Sequence, residues 1–314
     1  MAIERVTGVL VCGNICLDIP VWAVDTVDWG TTAWVDAITE SVGGNGANTS
    51  YALATLGVPV RLTGTVGKDR KGEWLVETLQ AADVDASRIS RSEHPTTSTV
   101  VLVQSSGNRT FLHRPGSSGD VLPEDVRFDD LAGFSHFHLA NPFALPRLRE
   151  EAGSILRRAK AAGLTTSLDT GWDARGAWMQ VIGPCLPSVN LLFLNEEEAM
   201  KLTGAPDVPA SVAALRSGGA TDIVVKAGAN GCVVFSGQQR LQVPGFPVKV
   251  VDTTGAGDCF AGAFLAALAR DWNYEEAARF ANAVGACNVQ ELGAAKGVLP
   301  FEATLTWMRE RDTL

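Results

Sequence analysis

The sequence predicts an α/β fold built around a mostly parallel central sheet. Apolar, strand-like runs alternate with helix-like segments along the 314 residues, which indicates βαβ units with helices on both faces of the sheet. No internal repeat, low-complexity stretch or linker divides the chain, so we expect one domain over residues 1–314. Residues 19–41 and 96–114 break the alternation with short β patterns, and we expect them to form a small lid over a cleft.

The elements of the core follow from the period of the apolar residues. Strands show short apolar runs between turn residues, and helices show longer runs that often end at glycine. The predicted strands are residues 8–12, 60–66, 99–104, 134–139, 165–168, 191–194, 223–226, 232–235 and 248–251. The predicted helices are residues 47–56, 71–82, 150–161 and 275–289, with a further helix after Asp258.

Composition and charge narrow the function classes. Hydrophobic residues make up 46% of the chain and charged residues 19%, which is ordinary for a globular protein with a sizeable core. The net charge is −9 and no Lys/Arg-rich run occurs, so neither nucleic acid nor an anionic membrane is an expected partner. The first twenty residues hold only a short apolar run, residues 9–12, which predicts a strand and not a signal peptide or membrane span.

The six cysteines indicate a reducing compartment. None forms a Cys-x-x-Cys pair, and most lie within apolar stretches. We interpret them as buried free thiols and not as a metal site, so the expected location is the cytoplasm.

The glycine-rich segment before Asp258 carries the clearest chemical signal. Residues 248–251 predict a buried strand, a tight turn follows, and the small and apolar residues after Asp258 predict a helix. The amides of Gly255, Ala256 and Gly257 would point free at the start of that helix, where they favour an anion. A carboxylate there suits a general base that takes a proton from an alcohol attacking a phosphoryl group. A helix-capping role explains Asp258 alone, but not the many small residues around it.

Two nucleotide-binding signatures are absent from the sequence. The spacing of the next glycine, Gly262, does not fit Gly-x-Gly-x-x-Gly, and no such fingerprint follows the first strand, which excludes a dinucleotide-dependent oxidoreductase. The nearest approach to a Walker A loop is Gly67-Lys68, but Asp69 stands where Ser or Thr is required.

Five motifs together resemble one enzyme family. The run Asp-Thr-Thr-Gly-Ala-Gly-Asp-x-Phe-x-Gly-Ala-Phe, which ends at residue 264, is similar to the C-terminal signature of the ribokinase-like (PfkB-type) carbohydrate kinases. Their first signature region resembles Gly-Gly-Asn-Gly-Ala-Asn at residues 43–48 and the glycines that follow up to residue 72. Asn-x-x-Glu at 195–198 and Lys-Ala-Gly-x-x-Gly at 226–231 complete the set, so the resemblance runs from about residue 8 to 300.

The resemblance implies a fold and an activity. Members have a three-layer α/β/α arrangement with a mainly parallel sheet and a small β lid that often forms the dimer contact, so a homodimer through the lid is expected. The implied activity is ATP-dependent phosphorylation of a hydroxyl, a primary one, of a sugar or sugar derivative, with Mg²⁺ as cofactor. Within the resemblance Asp258 is the catalytic base, and Gly255, Ala256 and Gly257 form the anion hole for the transferring phosphoryl group.

The resemblance also assigns residues to the sugar. Asp18 matches the family aspartate that binds sugar hydroxyls, and Gly44 and Asn48 fall where members grip the sugar. Asn45 stands where ribokinases often have Lys. Asn141 follows the strand after which ribose kinases carry a sugar-binding Glu, so ribose is disfavoured.

Two arginines of the lid segment, Arg109 and Arg114, have two open interpretations. Their guanidinium groups could bind a phosphate or carboxylate of the substrate, since arginine forks match such groups. Solvated lid arginines are the equally acceptable alternative.

On the nucleotide side the resemblance assigns Asn195 and Glu198 to Mg²⁺, its waters and the phosphates. An acidic first helical turn, favoured by the helix dipole, explains the glutamate without a ligand. The residues expected to line the nucleotide site are Lys226, Gly228, Gly231 and Asn282.

A monovalent cation, usually K⁺, binds beside the anion hole in many members. Gly297 stands where members often carry a Ser ligand, and this difference weakens the expectation of cation dependence. The groups that match the remaining ligands are Asp252, Thr254, Asn288, Glu291 and Gly293.

Two rival functions stay open. The nearer one is a nucleoside kinase of the same fold. The other is a non-catalytic sugar-binding regulator, which the intact Asp258 disfavours because a protein without catalysis has no use for a base.

Overall fold

The computed structural model describes residues 6–106 and 108–312, so residues 1–5, 107, 313 and 314 of the predicted domain and lid lie outside the described residues. The strands of the described part are β1 Gly8–Gly13, β2 Cys16–Trp22, β3 Ala37–Ile38, β4 Ser41–Gly43, β5 Val60–Gly67, β6 Val84–Ser92, β7 Ser98–Val103, β8 Arg109–Arg114, β9 Phe134–Ala140, β10 Thr165–Asp169, β11 Leu191–Asn195, β12 Asp222–Lys226, β13 Cys232–Ser236 and β14 Gln239–Val243. Its α-helices are α1 Asn45–Thr55, α2 Arg70–Ala81, α3 Ala152–Ala161, α4 Met179–Ile182, α5 Glu196–Thr203, α6 Val208–Ser217, α7 Ala256–Leu268, α8 Tyr274–Asn288 and α9 Phe301–Asp312.

The larger sheet has its strands in the order β14-β13-β12-β11-β10-β9-β1-β5-β6. Neighbours from β12 to β6 run parallel, whereas β13 pairs antiparallel with β12 and with β14. Every residue of β1 is buried, as expected for a strand covered on both faces. The prediction of a mainly parallel central sheet is therefore confirmed.

Helices cover the sheet on both faces. Val9 and Val11 of β1 belong to one apolar core, and Leu10 and Cys12 belong to another, because successive side chains of a strand point to opposite faces. The first core is packed by α1, α2, α7, α8 and α9, and the second by α3, α4, α5 and α6. This is the predicted three-layer α/β/α arrangement.

The two lid segments form a second, smaller sheet. Its strands follow the order β3-β2-β7-β8, and β4 pairs with β2. Several apolar side chains of this lid are exposed: Trp29 and Trp34 are 99% and 92% exposed, and Phe111 and Leu112 are more than half exposed. The predicted β lid is confirmed, and its outer surface is unusually apolar for a surface without a partner.

The strand predicted over residues 248–251 is wrong. In the described chain β14 ends at Val243 and α7 begins at Ala256, and the residues between them form no strand. Val250 is 54% exposed, and it lines a cleft together with Val248. The apolar run therefore belongs to the wall of a cleft and not to the core.

Smaller differences concern edges and ends. β6 and β14 escaped prediction because both are polar strands at the two edges of the sheet. The helix predicted from residue 150 begins with a 3-10 turn, Arg149–Glu151, before α3. All six cysteines are buried and unpaired, as predicted. Among the described helices, none has both the length and the apolar character needed to cross a bilayer.

Candidate active site

The candidate site lies where the carboxyl ends of the parallel strands meet the starts of two helices. β10 ends at Asp169, β11 at Asn195 and β12 at Lys226, while α1 begins at Asn45 and α7 at Ala256. Ligands of open α/β sheets bind at this edge. The predicted residues Asn45, Asn195 and Lys226 and the turn that starts α7 therefore lie along one edge of the central sheet.

The turn that starts α7 leaves backbone amides free. Gly255 has φ +68°, and a Cβ there would lie 2.1 Å from the carbonyl oxygen of Ala294, so only glycine fits. The amide of Ala256 donates back into the turn at 3.3 Å. Within the described residues the amides of Gly255, Gly257 and Asp258 have no acceptor. Two of the three predicted amides are thus free to bind an anion, and the amide of Asp258 joins them.

Both carboxylate oxygens of Asp258 accept an amide donor from α1. Nδ2 of Asn45 lies 2.8 Å from Oδ1, and Nδ2 of Asn48 lies 2.9 Å from Oδ2. Burial raises the pKa of Asp258, whereas the donors of Asn48 and Asn45 and the charge of Lys226 oppose that rise. The carboxylate is held in one orientation and made more basic than an exposed aspartate, which suits a general base.

Asp18 lies on β2, and the neighbouring position 43 is a glycine, which leaves room for the Asp18 carboxylate. A Cβ at Gly43 would lie 2.0 Å from Oδ2 of Asp18, and Gly44, with φ +91°, caps α1 beside it. Burial raises the pKa of Asp18 to about 6, and the charge of Asp258 adds to the rise. Asp18 and Asp258 are thus neighbouring buried carboxylates at one end of the cleft.

Three buried polar atoms at this end have no hydrogen-bond partner in the described chain: Oγ of Ser41, Oδ1 of Asn48 and Oδ1 of Asn141. Nδ2 of Asn141 is occupied, because it donates to Oδ1 of Asn45 at 2.9 Å. Ser41, which pairs with Asp18 between β4 and β2, carries no sequence signal and was not predicted. Buried polar groups rarely stay unpaired, so a ligand with several hydroxyls fits this end of the site.

The nucleotide side is a cleft of about 450 Å³ between the β12–β13 turn, the segment that follows β14, α7 and α8. Of the predicted nucleotide residues, Lys226, Gly228, Gly231 and Asn282 line it. Nδ2 of Asn282 donates to the carbonyls of Val243 and Pro244, each at 3.1 Å, so this amide also fixes the end of β14. The remaining walls are mostly apolar, with Phe246, Val248, Val250, Phe260, Ala286 and Val289 among them.

Asn195 and Glu198 form a capping box at the start of α5. Oδ1 of Asn195 accepts the amide of Glu198 at 2.8 Å, and Oε2 of Glu198 accepts the amide of Asn195 at 2.8 Å and the hydroxyl of Thr170 at 3.2 Å. The helix-start explanation therefore accounts for both residues. It leaves Oε1 of Glu198 without a partner in the described chain, so a role in ligand binding is compatible with it.

Asp169 is a site residue that the sequence analysis did not assign. Its Oδ2 lies 2.7 Å from Nζ of Lys226. Burial opposes the charge on Lys226, but the carboxylates of Asp169, Glu198 and Asp258 together raise its pKa. A Cβ at Gly257 would lie 3.1 Å from Nζ, so the ammonium lies beside the free amides. The signal that could have identified Asp169 is its place at the carboxyl end of a buried strand.

The two lid arginines have different positions. Nη1 of Arg109 lies 2.9 Å from Oγ1 of Thr254 and 3.3 Å from Oδ1 of Asp252, and Nη2 contacts Oγ1 of Thr253. Arg114 donates to the carbonyl of Thr96 at 2.9 Å, inside the lid. Arg109 therefore reaches the turn before α7, whereas Arg114 bonds within the lid segment itself.

The chain is similar in sequence to carbohydrate kinases. The sequence model of the family described as pfkB family carbohydrate kinase matches residues 8–301. The chain is 31% identical over 299 residues to the ATP-dependent ribose-1-phosphate kinase of Halopiger xanaduensis, covering 91% of this chain and 96% of that protein. It is 32% identical over 267 residues to the ribokinase of Arabidopsis thaliana, covering 80% and 68% of the two chains.

Solved structures give the same fold. The structure of Arabidopsis thaliana ribokinase complexed with ribose and ATP matches with a TM-score of 0.83 and 27% identity, covering 96% of this chain and 99% of that one. The apo form of a putative ribokinase II from E. coli matches with a TM-score of 0.87 at 24% identity, over 97% of this chain and 99% of that one.

Proposed function

The chain belongs to the pfkB family of carbohydrate kinases and is a sugar kinase, and from this premise we propose that it uses ATP to phosphorylate a hydroxyl, a primary one, of a sugar or sugar derivative. The observation that carries the proposal is the placement of Asp258. Its buried carboxylate, held by Asn45 and Asn48, adjoins both the unpaired polar atoms of the sugar end and the free amides of α7.

In the proposed chemistry, one end of the cleft binds and deprotonates the sugar, and the other stabilises the transferring phosphoryl group. Asp18 and Asn48 accept and orient sugar hydroxyls. Asp258 takes the proton of the attacking hydroxyl, and its burial supports this role because the raised pKa increases its basicity. The amides of Gly255, Gly257 and Asp258, with the ammonium of Lys226 beside them, stabilise the charge on the transferring phosphoryl group.

The nucleotide cleft fits ATP. Its volume of about 450 Å³ and its apolar walls suit a purine, and Gly228 and Gly231 leave the approach open. The Arabidopsis ribokinase structure, a relative with 27% identity, is a complex with ribose and ATP. We therefore propose that adenine lies against Val250 and Asn282, with the phosphates toward Lys226.

Mg²⁺ fits the residues beside the phosphates. Glu198 is buried, one of its oxygens is fixed by the capping box, and the other has no partner in the described chain. When bound, Mg²⁺ neutralises phosphate charge, and it is commonly held through one or two carboxylates and several waters. We propose that Glu198 and Asn195 hold it through water.

The sugar itself stays open among relatives that are named for ribose-1-phosphate, ribose and fructose. A coupled assay for ADP should compare these three substrates with nucleosides at equal concentrations. Turnover only with nucleosides would favour the nucleoside kinase. No turnover with any compound, despite sugar binding by calorimetry, would favour the non-catalytic regulator.

The test of the base is Asp258→Asn, which keeps the shape of the side chain. We expect turnover to fall by at least about 10²-fold, because general base catalysis contributes that much, while ATP affinity by calorimetry changes little. Asp207→Asn is the matched control, since Asp207 also stands at a helix start and asparagine caps as well there. Wild-type turnover in the Asp258 variant would refute the assignment.

Three further proposals concern organisation. We propose that residues 1–314 form one kinase domain, located in the cytoplasm. We also propose that the exposed lid side chains, Trp29, Trp34, Phe111 and Leu112 among them, are covered by the lid of a second copy. Light scattering should then give twice the chain mass of 33.1 kDa, whereas a single-chain mass would contradict the dimer.

A further inference from the structure

The contact between Arg109 and Asp252 connects the lid to the turn that starts α7. Arg109 begins β8, and its Nη1 lies 3.3 Å from Oδ1 of Asp252 and 2.9 Å from Oγ1 of Thr254. We call residues 252–258 the catalytic turn. Within the described residues, Arg109 is the ion-pair partner of Asp252.

Asp252 is a buried carboxylate whose oxygens are already occupied. Oδ1 accepts the amide of Thr254 at 2.9 Å and its hydroxyl at 2.6 Å, in addition to Arg109. Oδ2 accepts the amide of Gly293 at 3.1 Å. The Asp252 side chain is only 3% exposed, so a full negative charge there needs a positive partner close by.

A potassium ion does not fit the groups that the family resemblance assigns to it. Oδ1 of Asp252 already has a guanidinium group, which repels a second cation. The carbonyl of Thr254 accepts Nδ2 of Asn288 at 3.4 Å, and the carbonyl of Asn288 accepts the amide of Glu291 at 3.2 Å. Each of these two carbonyls therefore has one of its two lone pairs engaged, and a cation beside Oδ1 of Asp252 would meet the charge of Arg109.

Position 297 also differs from the potassium site that the family resemblance implies. A Cβ at Gly297 would lie 2.6 Å from the Cα of Asn288, so no side-chain ligand can be added there without moving the backbone. The chain therefore lacks a side-chain ligand at position 297 and has a guanidinium group on the carboxylate instead.

We propose that Arg109 supplies from the lid the positive charge that a monovalent cation would otherwise supply to the catalytic turn. The proposal rests on the proposed function of this turn. Without a cation, the Asp252 carboxylate would oppose the negative charge that collects at the amides of Gly255, Gly257 and Asp258. Because Arg109 belongs to the lid, the turn is charge-balanced only while the lid lies against it. Arg109 is then a positioning residue, and the wild-type enzyme works without potassium.

The experiment compares wild type, Arg109→Ala and Arg109→Lys in buffers of equal ionic strength. Three buffers are used, which differ in their cation. The first contains tetramethylammonium, which is too large for the site. The second contains potassium, and the third contains a few millimolar guanidinium. Arg88→Ala is the matched control, because it removes one arginine from an ion pair with Asp129 remote from the cleft. Two quantities are measured: the melting temperature without any substrate, and kcat with the best sugar of the panel.

For wild type, Arg109→Lys and Arg88→Ala we expect a melting temperature and a kcat that are the same in all three buffers. Arg109→Ala should lose at least about tenfold in kcat in tetramethylammonium and regain several-fold in potassium or guanidinium. Its melting temperature should rise in the same two buffers, because a ligand that binds only the folded state stabilises it.

Two results would overturn the inference. One is a wild type whose melting temperature and kcat both rise with potassium, because the metal would then hold the site. The other is an Arg109→Ala variant that responds to neither potassium nor guanidinium in either measurement. The melting experiment needs no turnover, so it stands even if Asp258→Asn refutes the base, and the two failures can be told apart.

Discussion

The two ends of the cleft differ in the side chains that would contact a ligand. The nucleotide end has walls of apolar side chains and glycines, with Lys226 as its charged group. The sugar end is built from buried carboxylates and amides, with three polar atoms left unpaired in the described chain. Apolar walls tolerate changes of shape, whereas buried polar groups reject any ligand that leaves them unpaired. Specificity should therefore be concentrated at the sugar end.

The ion pair of Asp169 and Lys226, where the two ends meet, should give the largest effect. Lys226→Met leaves the Asp169 carboxylate buried without a partner, and we expect the free energy of unfolding in urea to fall by about 3 kcal/mol. Adding Asp169→Asn should recover part of this loss. Lys68→Met, which breaks the exposed pair with Glu93, should cost less than about 1 kcal/mol. Equal losses in the two Lys variants would contradict the comparison.

At the sugar end, Asp18→Asn should lower kcat/KM for the sugar by about 100-fold, because charged hydrogen bonds to hydroxyls contribute about 1.5–3 kcal/mol. The KM for ATP should change less than twofold. Asp25→Asn, also in the lid but at an exposed turn where it accepts from Ser105, should leave both constants unchanged. If Asp18→Asn instead raised only the KM for ATP, the assignment of the two ends would be reversed.

The pH dependence should separate the ends in the same way. Burial raises the pKa of Asp18 to about 6, so kcat/KM for the sugar should fall about tenfold per pH unit below that value as the acceptor is protonated. The contribution of Asp18 to folding stability changes with pH in the opposite direction to kcat/KM. The folded state holds this proton more tightly than the unfolded chain, so the contribution of Asp18 to stability is present at low pH and is lost as pH rises through 6. ATP affinity measured by calorimetry should be flat over the same range if Asp18 touches only the sugar.

The smallest effect should come from the apolar wall of the nucleotide cleft. Val250→Ser removes part of the surface that ATP would cover, and a loss of about 1 kcal/mol corresponds to about a fivefold higher KM for ATP. The value of kcat should not change. Val250→Leu, which keeps the wall apolar, should stay close to wild type. A large loss of kcat in the serine variant would show that this wall positions the phosphates as well.

The sequence predicted those parts of the site that follow one another in the chain. The turn at Gly255, the helix after Asp258 and the parallel sheet all follow from local pattern, and the structure has all three. The strand at residues 248–251 was wrong because an apolar run looks the same whether it faces a core or a ligand cleft. Whether an apolar run is buried depends on which distant segments pack against it, and the local sequence pattern carries no information about those segments.

Contacts between segments that are distant in the chain were the other feature that the sequence could not predict. Asp169 meets Lys226 across 57 positions, and Arg109 meets Asp252 across 143. Neither pair has a spacing that a sequence pattern could reveal. The same is true of Ser41, an ordinary serine until β4 places it opposite Asp18. Residues whose roles depend on such pairings become visible only in three dimensions.

The absence of a side chain at Gly43 has a consequence for the evolution of the sugar end. The Asp18 carboxylate occupies the volume that any side chain at position 43 would need, with 2.0 Å between Oδ2 and the Cβ position. The two positions therefore cannot vary independently. A descendant that lost the carboxylate would be free to accept alanine at 43, and one that gained a side chain at 43 would have to surrender the carboxylate. Covariation of positions 18 and 43 among homologues should thus mark the lineages that abandoned this mode of sugar recognition.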